Sequence, residues 1–504
     1  MGFEILDSVK TFEETEFTKP QINVGCLFDI ITGCYQFGQY GESVLNGGVG
    51  LLTGIVGIGN NYKSTLMHYL TLTAASRFEF TKIFTYDTEM NITKPRLERL
   101  ASFIKSSWGS IVRRGDWSVS DRQNYFANEW YEKFKEFLDD KLKNARAFTR
   151  ETPFLNADDT TLMKWLIPSF SQIDSFSEFE TEDVGKMQDE NELGDKGALT
   201  MHMKQGLAKI RFLSDVLKRL AKAGNPMFLT AHIGKDIPMD AHAAPVKKLQ
   251  FLKNGDKVKG ATDKFFFLTT FSVQCQNAVP YLNDTTKAPE YPVDSEENKA
   301  KGSTDLMLIT VVMLRNKNGQ TGFSIPVLVS QREGILPSLS EFHYCKIQDR
   351  YGLIGNLQNY QLALRPDVAL SRTTVRSKLR SDPLLARAMN ITSEMCQMKN
   401  HWHLHRDLLC TPDVLFEDLK AMGYDWDVLL NTRGWWTLEN DSSSHELPFL
   451  STMDLLRMRK GLYHPYWLAE DKKTRVDIKG KMARKIYEDL MSRLKPINSP
   501  KVPA

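Results

Sequence analysis

The stretch LLTGIVGIGNNYKSTLMHYL at positions 51–70 constrains this chain more than any other. An apolar, β-branched run ends near Val56, a glycine-rich turn follows, and a helix-forming run starts beside Lys63. Such a turn presents backbone N–H groups, and a helix N-terminus behind it adds partial positive charge, so the pair suits an anion. Lys63 is placed to reach the β/γ oxygens of a nucleotide, and the adjacent Ser64 hydroxyl to hold Mg²⁺. The spacing from Gly57 to Lys63 matches G-x-x-x-x-G-K-[ST], except that Tyr62 replaces the second glycine. Gly57, Ile58, Gly59, Asn60, Asn61, Tyr62, Lys63, Ser64 and Thr65 therefore read as a nucleotide-binding loop, with an ordinary glycine-rich turn as the alternative.

The rest of the chain must supply a sheet and helices around that loop. At roughly 100–200 residues per domain, 504 residues predict two to four domains. An apolar fraction of 41% is ample for a core, which excludes wholesale disorder. Six cysteines exclude a disulfide-framed scaffold. No run reaches the length of a membrane span, and the acidic N-terminus lacks the features of a secretory signal, so a soluble cytoplasmic protein without membrane partners is expected. The net charge of +3 is uninformative, because what matters for a nucleic-acid partner is where the charges sit.

Short β-branched or aromatic runs alternate with longer amphipathic ones from Val24 to about Ile335, which predicts an α/β domain with a mostly parallel sheet. Strands are expected at 49–56, 82–86, around Ile173, 227–230, 264–270, 306–314 and 323–329. Helices are expected at 64–77, 94–103, 122–149 and 200–223. The acidic stretch 178–195 and the polar stretch 277–303 read as loops. Beyond about Ser338 the composition changes to short helical segments with the tryptophans Trp426, Trp435 and Trp436. The expected division is an arm (1–20), an α/β core (21–337) and a mainly helical C-terminal region (338–504). Its end is basic, with 13 Lys or Arg against 6 Asp or Glu from Ser451 onward, a possible DNA or partner surface or an ordinary charged helix.

Other residues carry candidate chemistry. The strand after the loop ends in Asp87-Thr88-Glu89, where open α/β sheets bind ligands, and Glu89 is suited to polarise an attacking water. A metal-side carboxylate should close the third strand, and Asp174 is the candidate, although Pro168 and Ser171 weaken that run. Lys247, Lys248, Lys253, Lys257 and Lys259 flank Phe251, a basic and aromatic set that fits single-stranded DNA or else a solvated turn. His401, His403 and His405, near Cys396 and Cys410, admit a zinc site or plain surface histidines. The segment 174–195, with nine acidic residues and one lysine, is a poor lining for a DNA path.

Taken in order, the loop, the acidic pair, Asp174-Ser175 and the strand MFLTAHIGK resemble the RecA-type ATPase core. The chain is most similar to phage recombinases of the UvsX type, which carry an aromatic residue before the loop lysine, as Tyr62 does, and an Asp-Ser-Glu resembling Asp87-Thr88-Glu89. The lead-in INVGCLFDIITG and the closing REGILP also resemble theirs. The resemblance implies a RecA-like P-loop NTPase core binding ATP and Mg²⁺, and a DNA-dependent ATPase of homologous recombination and repair. That enzyme would form oligomeric filaments on single-stranded DNA, with replication or recombination accessory proteins as partners, inside a bacterial host if phage-encoded. It also implies Glu89 as catalytic glutamate, Asp174 as the Walker B aspartate and His232 as γ-phosphate sensor. The loops after Asp174 and His232 would contact DNA, and Arg315 and Lys317 would reach a neighbouring subunit's phosphate. The run Arg315-Asn316-Lys317-Asn318-Gly319 and the pair Glu89-Met90 equally resemble DnaB-type hexameric replicative helicases. Against a helicase, only about 45 residues precede the loop strand, too few for a separate collar domain. A nucleotide-switched assembly factor is the third reading.

Overall fold

The computed structural model describes residues 20–156, 161–190, 198–235, 250–253, 255–260, 263–356, 358–438 and 447–476. A short helix, α1 (Phe28–Thr32), and a hairpin of β1 (Cys34–Phe37) and β2 (Ser43–Asn46) lead into β3 (Leu52–Gly57). Helix α2 (Lys63–Ala75) leaves the glycine-rich loop, followed by β4 (Ile83–Asp87), α3 (Lys94–Ile104), β5 (Trp117–Asp121), α4 (Ala127–Lys143) and the one-turn α5 (Ala145–Phe148). A second hairpin, β6 (Thr149–Leu155) with β7 (Leu162–Leu166), precedes β8 (Phe170–Asp174). Then come α6 (Glu182–Glu190), α7 (Ala198–Ala223), β9 (Met227–Lys235), β10 (Asp256–Val258), α8 (Asp263–Leu268), β11 (Phe271–Pro280), β12 (Leu306–Asn316), β13 (Ser324–Ser330) and β14 (Gly334–Ile335).

The main sheet runs β14-β13-β12-β11-β3-β9-β8-β4-β5, with β10 paired to β9. From β11 to β5 the neighbours are parallel; β12, β13 and β14 extend the sheet antiparallel. Central strands are buried on both faces, which is why they read as near-continuous apolar runs. Neighbours in sequence go to opposite sides: Ile55 and Phe228 join the cluster with α2, α3 and the C-terminal helices, while Val56 and Leu229 join the one with α4 and α7. This is the expected α/β architecture, a mostly parallel sheet with helices packed on both faces.

After the core come α9 (Pro337–Ile347), a three-stranded antiparallel sheet of β15 (Leu353–Gly355), β16 (Asn359–Leu362) and β17 (Arg365–Ser371), then α10 (Val375–Ser381), α11 (Pro383–His401), α12 (Pro412–Ala421), α13 (Trp426–Leu430) and α14 (Thr452–Arg459). The region is mainly helical and shares one hydrophobic cluster with the lead-in and α2. Trp436 donates its indole N–H to the Gln21 carbonyl at 3.1 Å, and Trp402 donates to Ile30 O at 3.1 Å. Among the described residues no helix is long and apolar enough to cross a membrane.

Several expectations need correction. The run 264–270 is not a strand: it forms α8, because Phe265 and Thr269 are buried four residues apart while Phe267 is exposed. The strand comes after it, as β11. The acidic stretch is not a loop throughout. It forms α6, its Glu180 is buried against Arg122, and Glu182 pairs with Lys186 at 2.6 Å. The polar stretch 277–303 begins as the end of β11 and buries Tyr291. The single helix expected at 122–149 is α4 and α5 between two strands. Residues 1–19, the tail beyond 476, Lys247 and Lys248 lie outside the described residues.

Candidate functional site

The glycine-rich loop leaves the carboxyl end of β3, the central strand, and α2 starts at Lys63. Gly57 is a glycine for want of space: a Cβ there would sit 2.8 Å from the Cys275 carbonyl oxygen and 3.3 Å from the Lys63 side chain. Tyr62 caps α2 in the left-handed region at φ 58°, the conformation that the motif's second glycine adopts freely. Holding a tyrosine there costs on the order of 1 kcal/mol. Asn61 fixes the loop by donating its side-chain N–H to Cys275 O at 3.1 Å. Ile58 stands exposed on the loop.

A cleft of about 420 Å³ opens beside the loop, lined by residues from Gly59 to Thr65 with Glu89, Asn91, Asp174 and His232. Lys63 is 7% exposed, donates to Ile58 O at 2.9 Å and approaches His232 Nδ1 at 3.4 Å. Burial lowers its pKa, against which the Asp174 and Glu89 carboxylates act. An ammonium only donates, so Nδ1 of His232 accepts and Nε2–H faces Glu89 Oε1 at 2.7 Å. Asn91 donates to the other Glu89 oxygen at 3.1 Å. A continuous chain thus crosses the cleft from Lys63 through His232 to Glu89.

Each member of that chain is held from behind. Asp87 accepts the N–H groups of Glu89 (3.1 Å) and Ile92 (2.8 Å), turning the chain so that Glu89 faces the cleft. Burial raises the Asp87 pKa, and those N–H groups oppose the rise. Asp174 ends β8 level with Asp87 on β4 and accepts the Thr230 hydroxyl on Oδ1. Its own carbonyl takes the Thr88 N–H at 2.7 Å. His232 follows Thr230 by two residues on β9, so both point to one face. The His232 N–H donates to Ser177 Oγ at 2.9 Å, and Lys259 N donates to His232 O at 2.7 Å. Ser177 O in turn accepts from Lys209 at 2.6 Å, a buried lysine whose pKa burial lowers to about 8.

The loop residues, Lys63, Ser64, Glu89, Asp174 and His232 are therefore brought together. Arg315 and Lys317 are not. Arg315 is level with Ser272 and hence with Gly54, at the opposite end of the sheet from the loop. That is roughly 10 Å along the strand from Gly57, at about 3.3 Å per residue. Of the lysine set, Lys253, Lys257 and Lys259 are exposed near the end of β9, with Lys257 on β10. Phe251 is half-buried against Gly322, where a Cβ would come within 2.4 Å of its ring. His401 packs on Phe323 at 4.1 Å between centroids, and the described residues contain no group of three or more His, Cys, Asp or Glu placed for a metal. Sequence reasoning passed over Asn91, Thr230, Ser177 and Lys209. The i, i+2 spacing of Thr230 and His232 was the available signal.

No protein-family model and no curated protein matches the chain. Among solved structures, the crystal structure of the RadB recombinase is similar at 12% identity, with a TM-score of 0.31, over 57% of this chain and 90% of that one. A likeness of that degree carries no argument about function, which rests on the site itself.

Proposed function

We propose that the chain is an ATPase that acts on single-stranded DNA as an assembly of its own copies, in recombination or repair. The observation that carries the reading is the Lys63–His232–Glu89 chain across a cleft built on a helix N-terminus. The residues present fit a nucleotide with its metal: a lysine and backbone N–H groups for phosphate, and a hydroxyl and a carboxylate, Ser64 and Asp174, all-oxygen donors of the kind Mg²⁺ takes. Mg²⁺, when bound, supplies neutralisation of charge on the phosphate oxygens.

Glu89 accepts the proton of a water whose oxygen attacks the terminal phosphorus. The bond to the bridging oxygen breaks, and the diphosphate leaves with the electron pair. Lys63 stabilises the charge that develops on the phosphoryl oxygens. His232 holds Glu89 through Nε2–H and faces Lys63 through Nδ1, so any displacement of the Lys63 ammonium toward phosphate is felt at His232. The His232 main chain is bolted to Ser177 and Lys259, which relays that displacement to the segments after β8 and β9, where Lys253, Lys257 and Lys259 offer positive charge to a phosphate backbone. Arg315 and Lys317, remote from their own cleft, serve a neighbouring copy.

The test is ATP turnover by wild type and Glu89→Gln, with and without single-stranded DNA, together with imaging on DNA with a non-hydrolysable analogue. Expected are DNA-stimulated turnover, its loss in Glu89→Gln with nucleotide binding retained, and filaments. Turnover unaffected by Glu89→Gln rejects the enzyme. A closed ring that unwinds forked duplex assigns the chain to the helicases, and a nucleotide response without any DNA dependence assigns it to assembly factors.

A further inference from the structure

Tyr62 occupies a backbone conformation that disfavours it, and its side chain shows what the residue is held by. The ring packs against the hydrophobic cluster that α3 and α9 share. Burial and the Asp305 charge raise the pKa of its phenol, and the Arg96 charge opposes them. Both grip one turn, residues 330–334. Arg96 donates to the carbonyls of Gln331 (2.8 Å) and Arg332 (3.2 Å). Asp305 accepts from the Ser330 hydroxyl and from Arg332 N at 3.1 Å. Gly334 ends the turn at φ 87°, and a Cβ there would stand 2.9 Å from Leu100 and 3.8 Å from the methyl of Thr65, a residue of the nucleotide loop.

The other side of the turn belongs to the C-terminal region. Arg376 of α10 donates to Asp305 at 3.2 Å and lies 3.7 Å from Glu333, which Arg380 also pairs with. The Arg376 and Asp305 side chains are only 6% and 8% exposed. Buried pairs of this kind add little net stability over apolar packing, and they are better at fixing a register. One Arg376 nitrogen is buried with no partner among the described residues, a further cost that packing alone does not explain.

We propose that Tyr62, Asp305 and Arg376 are positioning residues that couple the C-terminal region to the nucleotide loop through the 330–334 turn. The inference rests on the nucleotide reading above and adds a regulatory route to it. The C-terminal region sets the conformation of the loop, and by reciprocity an occupied loop tightens the hold on α10.

Hydrogen exchange of residues 375–381 in the full chain, with and without a non-hydrolysable ATP analogue, tests this beside nucleotide titrations. In wild type the analogue should slow exchange in α10. Tyr62→Gly removes the ring from that cluster and keeps a residue that accepts the left-handed conformation, so at analogue concentrations that saturate the variant's own loop α10 should no longer respond. Arg376→Met should weaken nucleotide binding by about 5–150-fold, with Arg376→Lys partly restoring it. Should Arg376→Met not fold, Tyr62→Gly and Asp305→Asn decide the matter by the same exchange measurement. Nucleotide binding with unaltered α10 exchange in wild type overturns the link alone. A wild-type chain that binds no nucleotide overturns the link and the function together.

Discussion

Two groups of carboxylates line cavities in this molecule and face different partners. In the cleft, Glu89 and Asp174 border open space and share it with Lys63 and His232. At the junction of lead-in and C-terminal helices, Asp29, Glu341 and Glu394 line a second cavity of about 440 Å³. There, Asn390 donates to Glu341 (3.1 Å) and Glu394 (3.3 Å), and Thr452 donates to Glu394. Arg387 turns its guanidinium to Asn390 and to Leu450 O instead. Burial pushes Glu341 up to about 8 and Glu394 to about 7. The difference teaches that acids alone do not mark a site. In the cleft Lys63 meets His232 and His232 meets Glu89, whereas burial raises the pKa of the junction acids, and Glu341 and Glu394 hold helices together through Asn390 and Thr452.

The same substitution in both regions separates them most sharply. Glu89→Gln should cut ATP turnover by about 10²–10⁴-fold and leave the melting temperature unchanged, since it removes a proton acceptor and keeps the shape. Thr230→Val comes next. It strips Asp174 of its hydroxyl partner and should weaken Mg²⁺-dependent nucleotide binding by roughly 10–100-fold, read by titration at graded Mg²⁺. Glu341→Gln should leave turnover within about twofold and act on stability instead. Because the folded-state pKa values of Glu341 and Glu394 lie above the ordinary carboxyl value, the stability they contribute is full in acid and is lost as pH rises through about 7 and about 8. Wild type should therefore melt lower at pH 8.5 than at pH 5. Glu341→Gln should flatten that slope and raise stability at pH 8.5 by on the order of 1 kcal/mol. A wild-type melting curve insensitive to pH would contradict the contrast drawn between the two regions.

What could be read in advance follows from how local each signal is. The loop from Gly57 to Thr65 is contiguous, and its strand, turn and helix each carry their own pattern, so the central unit was legible despite Tyr62. Asp174 was a weaker signal because Pro168 and Ser171 interrupt its run; in the structure Pro168 falls just before β8, and only Ser171 lies inside it. His232 came only through resemblance, since nothing in its neighbours says that β9 lies between β3 and β8. Thr230, Ser177 and Asn91 needed that strand order to gain meaning. The aromatic run 265–267 misled because three successive phenylalanines suit a strand or a helix, and burial at every fourth position decided for the helix. In the lysine set, contiguity in sequence is not one surface: Lys253, Lys257 and Lys259 are exposed, while Phe251 is half-buried against Gly322.

The sheet has a cleft at one end and Arg315 with Lys317 at the other, and burial together with the neighbouring Arg315 charge lowers the Lys317 pKa. Under the proposed function, in which the cations of one copy serve the cleft of the next, copies stack in one direction, as head-to-tail contacts do. An open row of such copies always keeps one bare cleft and one idle pair of cations. Its two tips are then chemically unequal, one waiting for a donor and the other for a recipient. In that proposed assembly, turnover per chain is expected to rise with row length and to level off once the tips are a small share of the whole, which turnover measured against chain concentration checks.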